Sequence, residues 1–328
     1  MAKVIGLGNA LVDIMTPLEN DDILNEINFP KGSMQLVDGE KSKEILKLTS
    51  HLKSSLASGG SAANTIHGIA RLGMETAFVG KIGPDKYGEI FKQDLIDSNI
   101  TPALFQTETE TGRAVAMVSP DSERTFGTYL GAAVELSADD ITADVFKGYE
   151  ILHIEGYLVF NEELIETAVK TAKAAGLQVS LDLASFNVVD AKLEFLQRIS
   201  KQYVDIIFAN EEEAKSFTGQ DDPEKALEII AEYAEVSIVK IGKEGSLILK
   251  DGQRTKVGII KAKAIDTTGA GDYYASGFLF GYLSGLGLNK AGQIGALLAG
   301  KVIEEMGAQI NDSTWEFILK EVELIKAQ

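Results

Sequence analysis

The chain has 328 residues, of which 45% are hydrophobic and 24% charged, so it can bury a large core in one domain or two. Its formal net charge is −18, which disfavours a general binder of nucleic acid or anionic membranes, because those partners need a basic surface. The sequence contains no cysteine, which excludes disulfides and thiolate metal sites.

Strand-like and helix-like segments alternate along most of the chain. Short apolar and β-branched runs predict buried strands at 4–7, 75–80, 151–154, 177–181, 204–208 and 236–239. Apolar residues at helical spacing predict helices at about 62–72, 87–98, 162–175, 211–217 and 225–233. Repeated strand–helix units with short connections imply a mostly parallel sheet that helices cover on both faces.

Two segments interrupt this alternation. The segment 11–36 contains two prolines and is predicted to be irregular. The segment 101–130 reads as strands at 104–106, 114–118 and 124–129 without helices between them, which suggests a small antiparallel sheet acting as a lid over a site. The alternative is an extension of the main sheet. We therefore predict a single domain over 1–328, with lid segments at about 11–38 and 101–130.

The stretch from Asp266 to Asp272, with sequence DTTGAGD, carries the most informative chemistry. Its turn, Gly269-Ala270-Gly271, leaves backbone N–H groups uncovered where a run of small and apolar residues begins a predicted buried helix. A helix start of this kind favours anions. A carboxylate at the same place would repel the anion, unless it takes a proton from a reacting group. The stretch therefore predicts a phosphoryl-transfer site with Asp272 as the base.

Polar residues near two other segments could bind a hydroxylated acceptor. Asn9 and Asp13 follow the first strand, at the kind of sheet edge where ligands bind, although a carboxylate there also caps turns. Gly59 and Gly60 allow close approach of the backbone to a ligand, and Asn64 falls on the first turn of the next helix. The alternative for this second segment is a plain glycine turn with a helix cap.

Two further features could offset the charge of a phosphate. Asn210 and Glu213 lie three residues apart on an incoming helix and could hold Mg²⁺ through its waters, while also forming a capping box. Arg124 is the best-placed cation of the predicted lid and could close over a transferring phosphate. The alternative for Arg124 is an ordinary solvated side chain.

Glycines suggest where a nucleotide could lie. Lys240 precedes Gly242 and Gly245, which separate two strands and could border a nucleotide or form a simple β-turn. The early G-x-G of the first strand is not a dinucleotide fingerprint, because the third glycine position is Leu11; this argues against a dehydrogenase. The run 295–302 is not a P-loop, because it ends in Val302, where a Ser or Thr is required.

The order and spacing of these motifs are more specific than any one motif. In that order the chain resembles the ribokinase-like (PfkB) family of carbohydrate and nucleoside kinases over essentially its whole length. The stretch from Asp266 to Asp272 looks like the C-terminal signature of the family. The segment from Gly59 to Asn64 resembles the N-terminal signature, and Asn210-x-x-Glu213 matches the N-x-x-E motif.

The resemblance implies a three-layer α/β/α sandwich with a mostly parallel central sheet and a small antiparallel β lid. It also implies a kinase that uses ATP and Mg²⁺, in which Asp272 is the catalytic base and Arg124 assists. The implied sites are an anion hole (Gly269, Ala270, Gly271), an acceptor site (Asn9, Asp13, Gly59, Gly60, Asn64), a nucleotide site (Lys240, Gly242, Gly245, Thr267), a water-mediated Mg²⁺ site (Asn210, Glu213) and a monovalent cation site, for K⁺, at Asp266, Thr268 and Gly307.

Adenosine kinases of the family resemble this chain at Ile66, at 8–14 and at 180–186, although they often carry asparagine where this chain has Asp182. Sugar kinases such as ribokinase and fructokinase remain alternatives. The implied reaction is phosphorylation of a hydroxymethyl group on a sugar or nucleoside. The alternative from another class is a non-catalytic sugar- or nucleoside-binding regulatory protein with the same fold.

Partners and location follow from composition and from the resemblance. We expect no nucleic-acid or membrane partner, and a monomer or a homodimer formed through the lid. The N-terminal residues lack the pattern of a signal peptide, and no apolar run reaches about 18 residues, so the expected location is the cytoplasm.

Overall fold

The computed structural model describes residues 3–121 and 123–328. Its strands are β1 (Lys3–Leu7), β2 (Leu11–Pro17), β3 (Met34–Leu36), β4 (Ser55–Gly59), β5 (Glu75–Ile82), β6 (Ile100–Gln106), β7 (Gly112–Val118), β8 (Arg124–Tyr129), β9 (Ile151–Glu155), β10 (Gln178–Asp182), β11 (Ile206–Asn210), β12 (Val236–Lys240), β13 (Ser246–Lys250) and β14 (Gln253–Val257). Its α-helices are α1 (Asp22–Glu26), α2 (Gly39–Thr49), α3 (Ser61–Arg71), α4 (Lys86–Asp97), α5 (Ala143–Phe146), α6 (Glu162–Ala174), α7 (Phe186–Tyr203), α8 (Glu211–Thr218), α9 (Pro223–Ile230), α10 (Ala270–Leu283), α11 (Leu288–Val302) and α12 (Asp312–Ala327). Among the described residues, none of the helices has the length and apolar character needed to cross a bilayer.

The larger sheet lies between two layers of helices. Its strand order is β14-β13-β12-β11-β10-β9-β1-β5-β6, and neighbouring strands from β12 to β6 are parallel. Strands β13 and β14 extend it in antiparallel fashion. Because successive side chains of a strand point to opposite faces, Val4 packs in the core that contains α3, α10 and α11, whereas Ile5 packs in the core that contains α6 and α7. The predicted three-layer α/β/α sandwich is confirmed.

The predicted second sheet is also confirmed. It has the strand order β3-β8-β7-β2-β4. Its pairings are mixed, since β2–β4 and β7–β8 are antiparallel while β2–β7 and β3–β8 are parallel. We call this five-stranded unit the small sheet. The single domain and the extent of the lid over 11–38 and 101–130 stay predictions. Only the assignments of β2 and β6 are corrected.

Two assignments at the small sheet were wrong. The segment predicted to be irregular contains β2, in which Val12, Ile14 and Thr16 are buried and the residues between them are half-buried; the polar Asp13 interrupts this alternation in the sequence. The strand predicted for the lid at 104–106 belongs to β6, which pairs in parallel with β5 at the edge of the larger sheet. Helix α4 makes the crossover that this parallel pairing requires. It ends at Asp97, before the segment 101–130, so that segment by itself shows no helix next to the strand.

The carboxyl ends of five neighbouring strands place polar groups at one edge of the larger sheet. Strand β1 leads into Asn9, while β9, β10, β11 and β12 end at Glu155, Asp182, Asn210 and Lys240. Only three residues separate β1 from β2, and β4 leads almost directly into α3. These two short connections hold the small sheet beside that polar edge.

Candidate active site

Helix α10 begins where the sequence predicts it. Its N-cap is Gly269, which has a left-handed backbone (φ 78°), and no side chain caps the helix start. A glycine adopts this conformation without the strain a Cβ adds, and an uncapped first turn leaves amides for an anion. The amide of Ala270 already donates to the carbonyl of Thr267, an exposed residue, at 3.2 Å. The anion-hole role of Gly269, Ala270 and Gly271 therefore rests on a helix start whose second amide is partly engaged.

The carboxylate of Asp272 is held by the first turn of α3. Ser61 donates its hydroxyl to Oδ1 at 2.7 Å, and Asn64 donates its side-chain amide to Oδ2 at 2.9 Å. Burial raises the pKa of Asp272 to about 6, although these two hydrogen bonds oppose the rise. A carboxylate with this pKa is ionised at neutral pH and is matched to general-base work.

Asp13 lies on β2, next to the glycine turn that precedes α3. A Cβ built on Gly59 would lie 2.4 Å from both carboxylate oxygens, so only glycine leaves room for Asp13 there. Gly60 has φ 96°, and a Cβ on it would lie 2.5 Å from the carbonyl of Asn9. Burial, and next the charge of Asp272, raise the pKa of Asp13 to about 7. Gly59 therefore lies against Asp13 and Gly60 against Asn9, and Asn64 follows on the first turn of α3, where it bonds Asp272. The structure thus brings together all five residues proposed for the acceptor.

Glu155, at the end of β9, was not singled out from the sequence. It is 1% exposed, and its carboxylate accepts from the backbone amides of Asn9 and Ala62 at 3.0 Å each, and also from the Asn9 side chain. Burial raises the pKa of Glu155 to about 7. It fixes the loop after β1 against the start of α3. The available signal was a carboxylate closing an otherwise apolar strand, Ile151–Glu155, at a position where ligands bind.

Asn210 and Glu213 form a capping box at the start of α8. The Asn210 backbone and side-chain amides donate to the two oxygens of Glu213 at 2.7 Å each, and the Glu213 amide donates back to the Asn210 side chain at 2.9 Å. Burial, and next the charge of Asp182, raise the pKa of Glu213 to about 7. Each carboxylate oxygen of Glu213 keeps a lone pair, so Asn210 and Glu213 together fit a magnesium ion held through water.

Gly242 and Gly245, the glycines predicted to border a nucleotide, lie in the turn between β12 and β13. Gly242 has φ 52° and Gly245 has φ 99°, and a Cβ on Gly245 would lie 1.9 Å from the carbonyl of Val257. These glycines are therefore required by the turn itself, and contact with a nucleotide stays a prediction. Lys240, just before the turn, forms an ion pair with Asp182 at 3.0 Å.

The residues implied for a monovalent cation come together, but they do not fit K⁺. Asp266 accepts from the Thr268 amide and hydroxyl on Oδ1 at 3.0 and 2.8 Å, and from the Gly307 amide on Oδ2 at 2.7 Å. The guanidinium of Arg124 pairs with the same Oδ2 and donates to the Thr268 hydroxyl at 2.8 Å. Both oxygens of the Asp266 carboxylate therefore have hydrogen-bond partners. Arg124, on β8 of the small sheet, is buried in an ion pair with Asp266 and is not a solvated side chain.

We expect turnover that changes less than about twofold between buffers containing K⁺ and buffers containing only a large organic cation, because Arg124 already supplies the positive charge at Asp266. Steady-state assays with Tris or potassium salts at equal ionic strength measure this. Arg124→Met removes the resident charge and should create a requirement for K⁺. A wild-type enzyme that is inactive without K⁺ would show that Arg124 leaves Asp266 during catalysis.

The fold and the polar edge of the larger sheet are typical of an α/β phosphotransferase, in which an uncapped helix start and a carboxylate beside a parallel sheet could receive a phosphate. The profile of the pfkB family carbohydrate kinases matches residues 40–315. The chain belongs to the PfkB family and is an ATP-dependent phosphotransferase of the sugar and nucleoside kinases, with an alcohol group as acceptor.

Relatives from both acceptor classes are similar to the chain. A crystal structure of a probable sugar kinase protein from Rhizobium etli has a TM-score of 0.87 and 36% identity, covering 98% of this chain and 99% of that one. A crystal structure of adenosine kinase from Sinorhizobium meliloti has a TM-score of 0.86 and 34% identity, with the same coverage of 98% and 99%. A nucleoside kinase of Methanocaldococcus jannaschii is 30% identical over 81% of this chain and 85% of its own length.

Proposed function

We propose that the protein transfers the γ-phosphate of ATP to the hydroxymethyl group of a nucleoside. The observation that carries the choice of a nucleoside over a plain sugar is an apolar surface of the small sheet beside Asp13. A pentose alone offers hydroxyls for Asp13 but nothing apolar to cover that surface. A nucleoside adds an aromatic base that would bury it.

Strand register defines this surface. Directly paired residues share a face of a sheet, so Asp13 lies in one row with Ala114, Thr128 and Leu36. The next row contains Met15, Ala116, Phe126 and Met34. We call the four apolar side chains of these rows that are not buried the apolar patch: Met15, Met34, Leu36 and Phe126.

The face of the small sheet that carries the apolar patch contacts the loops before α10 and after α11. A Cβ built on Gly307 would lie 3.1 Å from the methyl group of Met15, which places Met15 against the loop that binds Asp266. Arg124 shares the face with Phe126 and reaches Asp266 from it. Met34 and Leu36 are 56% and 65% exposed, so this surface lacks a partner among the described residues. An aromatic ring between the two sheets would supply one.

The charge of the site favours a neutral acceptor. Carboxylates of Asp13, Glu155 and Asp272 surround the acceptor region. The cations near it, Arg124 and Lys240, are each paired with a carboxylate already. A sugar acid would therefore meet like charge at the acceptor region, at a cost of several kcal/mol. A nucleoside or a neutral sugar avoids this repulsion.

In the proposed reaction the acceptor hydroxyl gives its proton to Asp272. Its oxygen forms a bond to the γ-phosphorus as the bond from that phosphorus to the β–γ bridging oxygen breaks, and ADP leaves. Asp13 would hold the ribose hydroxyls, and the start of α10 would stabilise the charge that develops on the phosphoryl group. Magnesium, when bound, supplies further charge neutralisation of the phosphates, held through water by Asn210 and Glu213.

Location and assembly are part of the proposal. The proposed reaction consumes ATP, and this need for a supply of ATP supports a cytoplasmic enzyme. The edge strands β3 and β4 of the small sheet could pair with a second copy, which supports a lid-mediated homodimer over a monomer.

Release of ADP with a panel of adenosine, other nucleosides, ribose and fructose tests the acceptor. We expect the best nucleoside to exceed the sugars in kcat/KM by at least about tenfold, since burying an aromatic anchor is worth more than about 1 kcal/mol. An equal or higher kcat/KM on ribose or fructose would contradict the nucleoside assignment. Binding of a nucleoside without any ADP release would favour the non-catalytic alternative.

Phe126→Ala should raise the nucleoside KM about tenfold and leave kcat on ribose unchanged, because only the base would contact the apolar patch. Tyr129→Ala, on the opposite face of the same strand, is the matched control for the strand itself. The comparison uses steady-state kinetics on both acceptors. Equal losses on nucleoside and ribose would assign Phe126 to the structure of the small sheet instead.

A further inference from the structure

Lys240 and Asp182 form an ion pair at the carboxyl ends of β12 and β10. Lys240 ends β12 and Asp182 ends β10, so the lysine side chain reaches across the intervening strand β11. Its Nζ lies 3.0 Å from Oδ2 of Asp182, and the two side chains are only 16% and 7% exposed. Asp182 also accepts from the Ala184 amide at 2.9 Å, which fixes the carboxylate in place.

The ammonium of Lys240 lies against the start of α10. A Cβ built on Gly271 would be 3.0 Å from Nζ of Lys240, so the ammonium is packed beside the backbone of the turn Gly269-Ala270-Gly271. An ammonium carries three donors, and among the described residues it donates to Asp182 alone. Its remaining donors therefore lie beside the amides to which an incoming phosphate would bind.

Several carboxylates surround this ammonium. Burial lowers the pKa of Lys240, but the charges of Asp182, Glu213 and Asp272 outweigh it and the pKa is raised, so the side chain is ionised at neutral pH. The chain as a whole has a net charge of −18, so polyanionic ATP needs a local cation. Arg124 is engaged with both Asp266 and Thr268, whereas Lys240 lies beside Gly271 and keeps donors that none of the described residues accepts.

We propose that Lys240 binds the transferring phosphoryl group of ATP and that Asp182 is the positioning residue that holds Lys240 there. This inference rests on the proposed kinase reaction. The ammonium makes no covalent bond; it donates to the non-bridging oxygens of the γ-phosphate, where charge develops during transfer. Before ATP binds, Asp182 provides the counter-charge that a buried ammonium needs.

Four variants test the inference: Lys240→Met, Lys240→Arg, Asp182→Asn and the double variant Lys240→Met/Asp182→Asn, which leaves no unpaired buried charge. Lys320→Met, on the exposed surface of α12, is the matched control for removing one positive charge. Calorimetry with MgATP, MgADP and AMP, without acceptor, is combined with kcat on the best acceptor of the panel. Circular dichroism checks that each variant is folded.

We expect the wild type to bind MgATP more tightly than AMP, and Lys240→Met and the double variant to lose about tenfold or more of that preference while AMP affinity is kept. Their kcat should fall about 10²–10³-fold, as for removal of one preorganised donor to a developing charge. Lys240→Arg should recover part of kcat, and Asp182→Asn should lower kcat more than it raises the KM for ATP.

A double variant that folds, keeps kcat within about threefold of the wild type and still prefers MgATP over AMP would overturn the inference, and the pair would then be structural only. That result leaves the kinase proposal standing. If no acceptor supports turnover, the kinase proposal fails, while the MgATP preference of the wild type and its loss in the double variant still decide the role of Lys240.

Discussion

Asp272→Asn is expected to lower kcat by about 10²–10⁴-fold, the range that a positioned general base contributes. The asparagine has the same shape and can still accept from Ser61 or Asn64, which hold the carboxylate at 2.7 and 2.9 Å, so the fold and ATP binding should persist. Steady-state kinetics on the best acceptor measure the loss, and calorimetry with MgATP measures binding. A kcat near that of the wild type would remove Asp272 from the role of base.

The pH profile provides an independent check on Asp272. A base must be deprotonated to accept a proton, so kcat/KM should fall as pH drops through the pKa values of Asp13 and Asp272, about 7 and about 6, and level off above about 8. The charges of Asp272 and Asp13 interact, so the acidic limb belongs to the pair as two macroscopic steps. The residual activity of Asp272→Asn should lack the limb near pH 6. A wild-type profile that is flat from pH 5 to 8 would contradict a carboxylate base.

Asp13→Ala is expected to raise the acceptor KM by about 10–100-fold, because a hydrogen bond to a charged group contributes about 1.5–3 kcal/mol. Affinity for ATP should stay within about twofold, since Asp13 lies on β2 of the small sheet beside Gly59, whereas the predicted nucleotide turn joins β12 and β13 of the larger sheet. Kinetics with each substrate varied in turn separate the two effects.

Asp97→Ala, which removes an exposed carboxylate at the end of α4, is the matched control and should change neither constant. The assignment of Asp13 to the acceptor would be wrong if its variant kept the acceptor KM and altered only the affinity for ATP. A loss of both affinities together, with a lower melting temperature, would assign Asp13 to the stability of the small sheet.

Local patterns predicted the larger sheet well and the small sheet less well. The buried parallel strands read as apolar runs, as in β9 and β12, because both of their faces are covered. Strand β2 has one face towards the site, and the polar Asp13 there interrupts its apolar pattern. Strand β4, Ser55–Gly59, consists of small and polar residues apart from Leu56, so its sequence resembles a loop.

Glu155, which the sequence did not single out, shows the same limit of local sequence patterns. Glu155 is visible in the sequence only as a carboxylate after an apolar run, which many solvated strand ends share. Its importance comes from burial and from its bonds to Asn9 and Ala62, which lie 146 and 93 residues away in the chain. No local pattern reports such partners.

The sequence alone determined the alternation of strands and helices, the helix start at Gly269 and the reaction class. These features depend on residues close together in the chain: glycine at a left-handed turn, apolar periodicity and a signature stretch. Only the tertiary structure decided which distant groups meet. It brought Ser61 and Asn64 to Asp272 across 211 and 208 residues, paired Lys240 with Asp182, and placed Arg124 where a monovalent cation was expected. Strand order and register set these meetings, because they decide which strand ends share an edge and which side chains share a face.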